Sequence, residues 1–147
     1  METGVSKLAP PLKLPGFGEI ELSRLLAMDD LFAIVSDGFP VSPAHTLIIA
    51  RRPIARFQEL TGAEKARLLV WIDWTQGHLT SQLSPTPDGF NIGLNDGVAA
   101  GQTIPQFHFH IIPRYKDDVP DPRGGIRHVI PSNARYWLAL ERATGPK

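Results

Sequence analysis

The apolar residues of this chain form short runs and spaced series that predict where its strands and helices lie. Residues 31–36 (LFAIVS) and Thr46–Ala50 (TLIIA) are compact and rich in branched side chains, which is typical of buried strands. Residues 90–94 (FNIGL) predict a further strand. Asp37-Gly38-Phe39-Pro40 breaks the chain between the first two runs, so these runs are expected to be separate strands.

Two helices are predicted. The first follows Thr61, whose hydroxyl and the carboxylate of Glu64 form a capping-box pattern, and leucines at helical spacing continue it to about Leu83. The second is expected over residues 134–143, with Ser132 as its N-cap and Gly145 beyond its end.

Residues 106–114, QFHFHIIPR, alternate between apolar and polar side chains. Side chains in a strand point to opposite faces with a period of two, so this stretch predicts a strand with one face in the core. The core face would carry Phe107, Phe109, Ile111 and Pro113. The opposite face would carry Gln106, His108, His110 and Ile112, which displays two imidazoles on one surface.

Strands, one long helix, further strands and a final helix do not alternate as they would in a parallel α/β fold. The order favours an α+β domain with a largely antiparallel sheet and helices on one face. A length of 147 residues suits a single core. We expect residues 1–18 to form an extended N-terminal arm, of polyproline type over the proline-rich residues 9–15, and residues 19–147 to form a single domain.

Charge and composition limit the partners. Fifteen Lys plus Arg balance fifteen Asp plus Glu, so no overall field favours nucleic-acid polymers or anionic membranes. The start of the chain has no signal-peptide pattern, and no apolar run approaches the length of a membrane span. The chain has no cysteine, which is compatible with a reducing compartment. We therefore expect a cytoplasmic protein.

The histidine pair at 108 and 110 has three interpretations from the residues alone: structural, catalytic or metal-binding. Imidazoles on one strand face are common zinc or iron ligands, and a third ligand could come from His45, His128, Asp117 or Asp118. Spacing alone leaves these alternatives open.

The motif QFHFHII resembles the signature of the histidine triad (HIT) family, His-φ-His-φ-His-φ-φ with φ apolar, and differs from it only at the first histidine. Neighbouring segments resemble the family in the same order. Phe39 to His45 is similar to its Pro-x-x-His strand entry, and Asn95-Asp-Gly with Gly101-Gln102-Thr103 occupies the place of its phosphate-binding loop.

This resemblance implies a HIT-like α+β fold with an antiparallel five-stranded sheet, a homodimer and a purine nucleotide or nucleotide conjugate as ligand, with no cofactor. Family members hydrolyse or transfer a nucleoside 5′-monophosphate from dinucleoside polyphosphates or nucleotidyl conjugates through a covalent nucleotidyl-histidine. By position, the resemblance makes His108 the nucleophile, His110 a donor to phosphate and leaving group, and His45 a supporting histidine. It also implies that Asp37 accepts from the ribose hydroxyls, and that Asn95, Gln102 and Thr103 bind phosphate.

Gln106 stands where the family has its first histidine. Glutamine keeps a donor and an acceptor, but it cannot become cationic or move a proton by changing tautomer. The sequence therefore predicts reduced or altered turnover, and it predicts that Gln106→His preserves or raises the rate. Two alternatives remain: a nucleotide-binding module with little turnover, and a metalloenzyme built on His108 and His110.

Overall fold

The computed structural model describes residues 10–145, and a five-stranded antiparallel sheet forms its centre. The strands are β3 (Leu25–Met28), β4 (Phe32–Ser36), β5 (Thr46–Ala50), β6 (Gly89–Gly93) and β7 (His108–Arg114), in the spatial order β3-β4-β5-β7-β6. The expected α+β fold with five antiparallel strands is confirmed. Strands β4 and β5 lie inside the sheet and are buried along almost their whole length, as their continuous apolar runs predict.

The long helix α1 (Gly62–Gln82) begins where the sequence predicts. The Thr61 hydroxyl accepts from the amide of Glu64 at 3.1 Å, and Glu64 Oε1 accepts from the amide of Thr61 at 2.8 Å. Glu64 is buried and also binds the Arg52 guanidinium at 2.8 Å. Leu68 and Leu79 pack the helix against one face of the sheet. This face includes Phe32, Ile34, Ile48, Phe107, Phe109 and Ile111.

The other face of the sheet is covered in part by a small hairpin. Strands β1 (Leu12–Leu14) and β2 (Gly18–Ile20) pair with each other and pack Leu14 and Ile20 against β4 and β5. The sequence predicts a polyproline arm in this region. The structure differs because Leu14 and Ile20 bury their apolar surface against the sheet, which favours strand pairing. The predicted domain boundary at residue 19 stays a prediction, and residues 1–9 of the arm lie outside the described residues.

Strand β7 carries the predicted alternation. Phe109, Ile111 and Pro113 are buried, while His108, His110 and the positions that follow on the same face are partly exposed. The strand begins at His108, two residues later than predicted. Gln106 lies just before it and is 1% exposed, so this residue is not displayed on the surface with the histidines.

The C-terminal helix α2 (Trp137–Thr144) begins later than the sequence predicts. Ser132 lies instead in a 3-10 turn over Pro131–Asn133, and the first residue before α2, Tyr136, makes no side-chain cap. Ala134 and Trp137 are buried against the preceding segment, whose Gly124 approaches both residues. Burial of these two side chains therefore decides where the helix begins, in place of the expected serine cap.

Within residues 10–145, every helix is too short or too polar to span a bilayer.

The capping box of α1 allows a stability test. Thr61→Ala removes the acceptor of the Glu64 amide and is expected to lower the free energy of unfolding by about 1 kcal/mol, measured by urea denaturation. Thr80→Ala is the matched control, because this exposed hydroxyl donates only to a carbonyl inside the helix, that of Gln76. We expect the control to change stability by less than about 0.5 kcal/mol. Equal losses in both variants would contradict the capping role.

Candidate active site

His108 lies at the start of β7 with its tautomer fixed by one backbone group. Its Nδ1 is 2.8 Å from the carbonyl oxygen of Gln106. A carbonyl oxygen only accepts, so Nδ1 carries the hydrogen and donates it. In the neutral ring the lone pair is then on Nε2, which is the nitrogen able to attack an electrophile.

His110 and His45 form a second hydrogen-bonded unit beside His108. The rings of His108 and His110 have centroids 5.2 Å apart, and His45 Nε2 lies 2.9 Å from His110 Nδ1. The direction of this bond follows from the backbone of Val41, whose N–H donates to His45 Nδ1 at 3.3 Å. His45 must therefore carry its hydrogen on Nε2 and donate it to His110 Nδ1. In its neutral form His110 then carries its own hydrogen on Nε2, as a donor.

Burial and neighbouring imidazoles keep this unit uncharged. Burial, together with the charges that His108 and His45 would carry, lowers the pKa of His110 to about 4, although Asp37 acts in the opposite direction. Burial also lowers the pKa of His45, and Asp37 again opposes the shift. Near neutral pH, His110 is therefore a neutral hydrogen-bond donor.

Asp37 lies beside His45 because the loop between β4 and β5 closes on itself. Its backbone N–H donates to the His45 carbonyl at 2.8 Å, and its Oδ2 lies 3.4 Å from His45 Nε2. Asp37 Oδ1 accepts from the amide of Phe39 at 2.9 Å, which is an Asx turn. The Asp37 carboxylate therefore has two roles: one oxygen stabilises the turn, and the other lies next to His45.

The polar residues of the loop before β7 do not all face the histidines. Gln102 is 8% exposed and turns inward: its Oε1 accepts from the amide of Gly97, and its Nε2 donates to the carbonyls of Ala55 and Ile104. Thr103 is exposed, and the side chain of Asn95 lies next to Gly101. The Gln102 side chain thus organises the loop, while Thr103 is directed to solvent.

The Gln106 side chain is held beside the histidine strand by hydrogen bonds that the sequence does not suggest. Its Nε2 donates to the carbonyl oxygens of Ala50 at 2.6 Å and Arg52 at 2.8 Å. Both partners only accept, which fixes the orientation of the amide group. The side chain thus ties β7 to the end of β5.

Sequence reasoning missed Phe17, in the turn of the N-terminal hairpin. Its ring meets the His108 ring edge to face, with centroids 5.2 Å apart. The apolar residues Leu12, Leu14 and Ile20 around Pro15-Gly16-Phe17 were an available signal, but the prolines favoured an arm outside the domain. Phe17 is thus a wall of the site contributed by the N-terminal segment.

The residues that could bind a metal ion differ from those that the sequence suggests. Among residues 10–145, Asp37, His45 and His110 offer ligand atoms within 4.8 Å of one another. His108 does not belong to this group, His128 bonds to the Arg123 carbonyl, and Asp118 pairs with Arg114. The Val41 amide keeps the hydrogen on His45 Nε2, so a metal bound there would have to break that hydrogen bond first. The observed contacts favour a hydrogen-bonded unit over a metal centre.

Comparison with known proteins gives consistent results. The HIT domain family model matches residues 19–117. An asymmetrical bis(5′-nucleosyl)-tetraphosphatase of Schizosaccharomyces pombe is 40% identical over 79 residues, which are 54% of this chain and 42% of that protein. An AP-4-A phosphorylase of Mycobacterium tuberculosis is 29% identical over 151 aligned residues, 98% of this chain and 75% of that protein.

The fold is also that of a known structure. The Caenorhabditis elegans NitFhit protein superimposes with a TM-score of 0.68 at 27% identity, over 92% of this chain and 31% of that one. This chain therefore spans less than half of the S. pombe relative and about a third of NitFhit. The family model covers about two thirds of the chain, over the sheet, helix α1 and the histidines. On these grounds the chain belongs to the histidine triad (HIT) family.

Proposed function

We propose that this protein hydrolyses or transfers a nucleoside 5′-monophosphate from dinucleoside polyphosphates or nucleotidyl conjugates through a covalent bond to His108. The observation that carries the proposal is the hydrogen bond from His108 Nδ1 to the Gln106 carbonyl, 2.8 Å long. It leaves a lone pair on Nε2 of a partly exposed ring.

In the first step, the Nε2 lone pair of His108 forms a bond to the α-phosphorus, and the bond from that phosphorus to the leaving-group oxygen breaks with its electron pair. The ring is then substituted at Nε2 and still protonated at Nδ1, so it is positively charged. The Gln106 carbonyl faces that proton and stabilises the charge. In the second step, water oxygen bonds to phosphorus, the bond to Nε2 breaks, and one water proton goes to solvent.

His110 would assist by donating its Nε2–H to an oxygen on the α-phosphorus or on the leaving group. It is poorly suited to giving up that proton. A replacement would have to come through His45, whose Nδ1 is bound by a backbone N–H, and a backbone amide does not supply protons. This arrangement favours a polyphosphate, which leaves as an anion, over an amine, which must be protonated to leave. The relatives named bis(5′-nucleosyl)-tetraphosphatase and AP-4-A phosphorylase agree with that preference.

Nucleotide binding would use the residues around the histidines. Asp37 Oδ2 can accept from ribose hydroxyls on the side of His45, while Thr103, Asn95 and the backbone amides of the loop before β7 can donate to phosphate oxygens. Gln102 would act by holding that loop through its bonds to Gly97, Ala55 and Ile104. A homodimer, which the family resemblance implies, and a cytoplasmic location, with which the lack of cysteine is compatible, remain part of the proposal.

Removal of the nucleophile tests the mechanism. His108→Ala should lower nucleoside monophosphate release from diadenosine tetraphosphate by at least roughly 10³-fold, because no other neutral imidazole takes its place. Release is measured by chromatography of the products. His78→Ala is the matched control, since this histidine lies on α1, on the opposite side of the sheet, stacked on Trp74. A variant of His108 with full activity would refute the mechanism.

The neutral state of His110 gives a pH prediction. The folded protein binds a proton at His110 only near pH 4, whereas the unfolded chain binds it near pH 6.5. The stability from this group is therefore complete above about pH 6.5 and is lost as the pH falls towards 4. Urea denaturation between pH 7 and 4.5 should show a decline in the wild-type protein that is smaller in His110→Asn. Identical declines in the two proteins would contradict the burial of a neutral His110.

A further inference from the structure

We infer that Gln106 is a positioning residue, whose amide holds the peptide group that orients His108, and that the site is built around glutamine at this position. The inference rests on the proposed role of His108 as nucleophile. It reverses the expectation from sequence that Gln106→His preserves or raises the rate.

The first support is the count of hydrogen atoms. One nitrogen of the Gln106 side chain donates to two carbonyl oxygens, of Ala50 and of Arg52. A primary amide offers two hydrogens on one atom, and it does so without charge. A neutral imidazole has one N–H, so histidine here would leave one of the two carbonyls without this donor.

The second support is where those carbonyls lie. Ala50 is the last residue of β5, and the chain leaves the sheet through Arg52. The residue before β7 still pairs with this part of the chain. The Ala50 amide donates to the Phe107 carbonyl at 3.1 Å, and the Phe107 amide donates to the Ile54 carbonyl at 2.7 Å. The Gln106 side chain adds two bonds to this junction, next to the peptide that receives the His108 hydrogen.

The third support is the packing over Gln106, which is 1% exposed. The hairpin turn lies directly on it: a Cβ added to Gly16 would be 2.8 Å from Gln106 Cβ and 3.2 Å from Ile104 Cγ2. Gly16 also has φ +69°, where glycine is favoured. The Cβ of residue 106 is therefore covered by the turn that carries Phe17, the residue in contact with His108.

Together these contacts connect the Gln106 side-chain amide to the reacting Nε2 atom of His108. The side chain fixes the backbone of residue 106, its carbonyl fixes the hydrogen on His108 Nδ1, and that hydrogen fixes the lone pair on Nε2. Loss of the amide should disturb attack on phosphorus more than it disturbs binding of the nucleotide, because none of these groups belongs to the proposed nucleotide-binding set.

The test compares Gln106→His and Gln106→Met with the wild-type protein. Methionine keeps the length of the side chain and removes both donors. Each variant should lose roughly tenfold to a hundredfold in kcat for diadenosine tetraphosphate, while the Kd for AMP changes by less than about threefold. Gln82→His, at the exposed end of α1, is the control for introducing an imidazole and should match the wild type. Wild-type kcat in either folded Gln106 variant would overturn the inference.

A spectroscopic measurement tests the same path without turnover. The ¹⁵N chemical shifts of the His108 ring should show the hydrogen on Nδ1 in the wild-type protein, and a mixture of tautomers in Gln106→His or Gln106→Met. If the His108 ring of the wild-type protein carries its hydrogen on Nε2, the inference is overturned even if both variants fail to fold. Gln106 variants in which His108 keeps a single Nδ1–H tautomer would also overturn it. Failure of the proposed function looks different: the wild-type protein would release no nucleotide while its His108 tautomer remained as described.

Discussion

The hydrogen bond between His108 Nδ1 and the Gln106 carbonyl is the interaction on which the proposed chemistry depends. An imidazole free to exchange tautomers would present its lone pair on either nitrogen, and only one of them can face a bound phosphorus atom. A backbone carbonyl two residues away along the chain sets that choice at 2.8 Å. Because the acceptor belongs to the backbone, its position is decided by whatever holds residue 106, and the buried amide of Gln106 is part of that support.

The sheet makes this arrangement possible because its two faces are used differently. One face is covered by α1 and forms the larger apolar core. The opposite face is divided: the hairpin of β1 and β2 covers β4 and β5, and the neighbouring part along β7 carries His108 and His110. The histidines therefore lie at the border of an apolar layer, where burial keeps His110 and His45 neutral while His108 remains accessible.

The strands and the first helix could be predicted because each has a strong local signal. Alternation in residues 107–113 predicts which side chains of β7 are buried, and the capping box at Thr61 predicts the first turn of α1. Residues 12–20 gave the wrong local signal: their prolines favour an extended arm, whereas pairing and burial of Leu14 and Ile20 depend on a distant part of the sheet. The start of α2 was misplaced for a similar reason, since tertiary contacts of Ala134 and Trp137 outweigh a possible serine cap.

For the candidate site, sequence identified which residues meet but not how their polar groups are used. His45, His108, His110 and Asp37 lie next to one another in the structure. The residue type alone, however, does not show whether an amide side chain binds a ligand or forms hydrogen bonds with the backbone. Gln102 and Gln106 both satisfy backbone groups in this structure, and only the positions of Gly97, Ala50 and Arg52 reveal it.

The central claim is that the Nε2 atom of His108 forms a bond to phosphorus. Rapid mixing of the protein with diadenosine tetraphosphate, quenching in alkali within the first turnover, and mass spectrometry of its peptides tests this directly. We expect an adenylyl group on the peptide that contains residue 108, with fragmentation placing it on His108. An adduct on His110 or His45, or product release with no protein-bound nucleotide at any time, would contradict it.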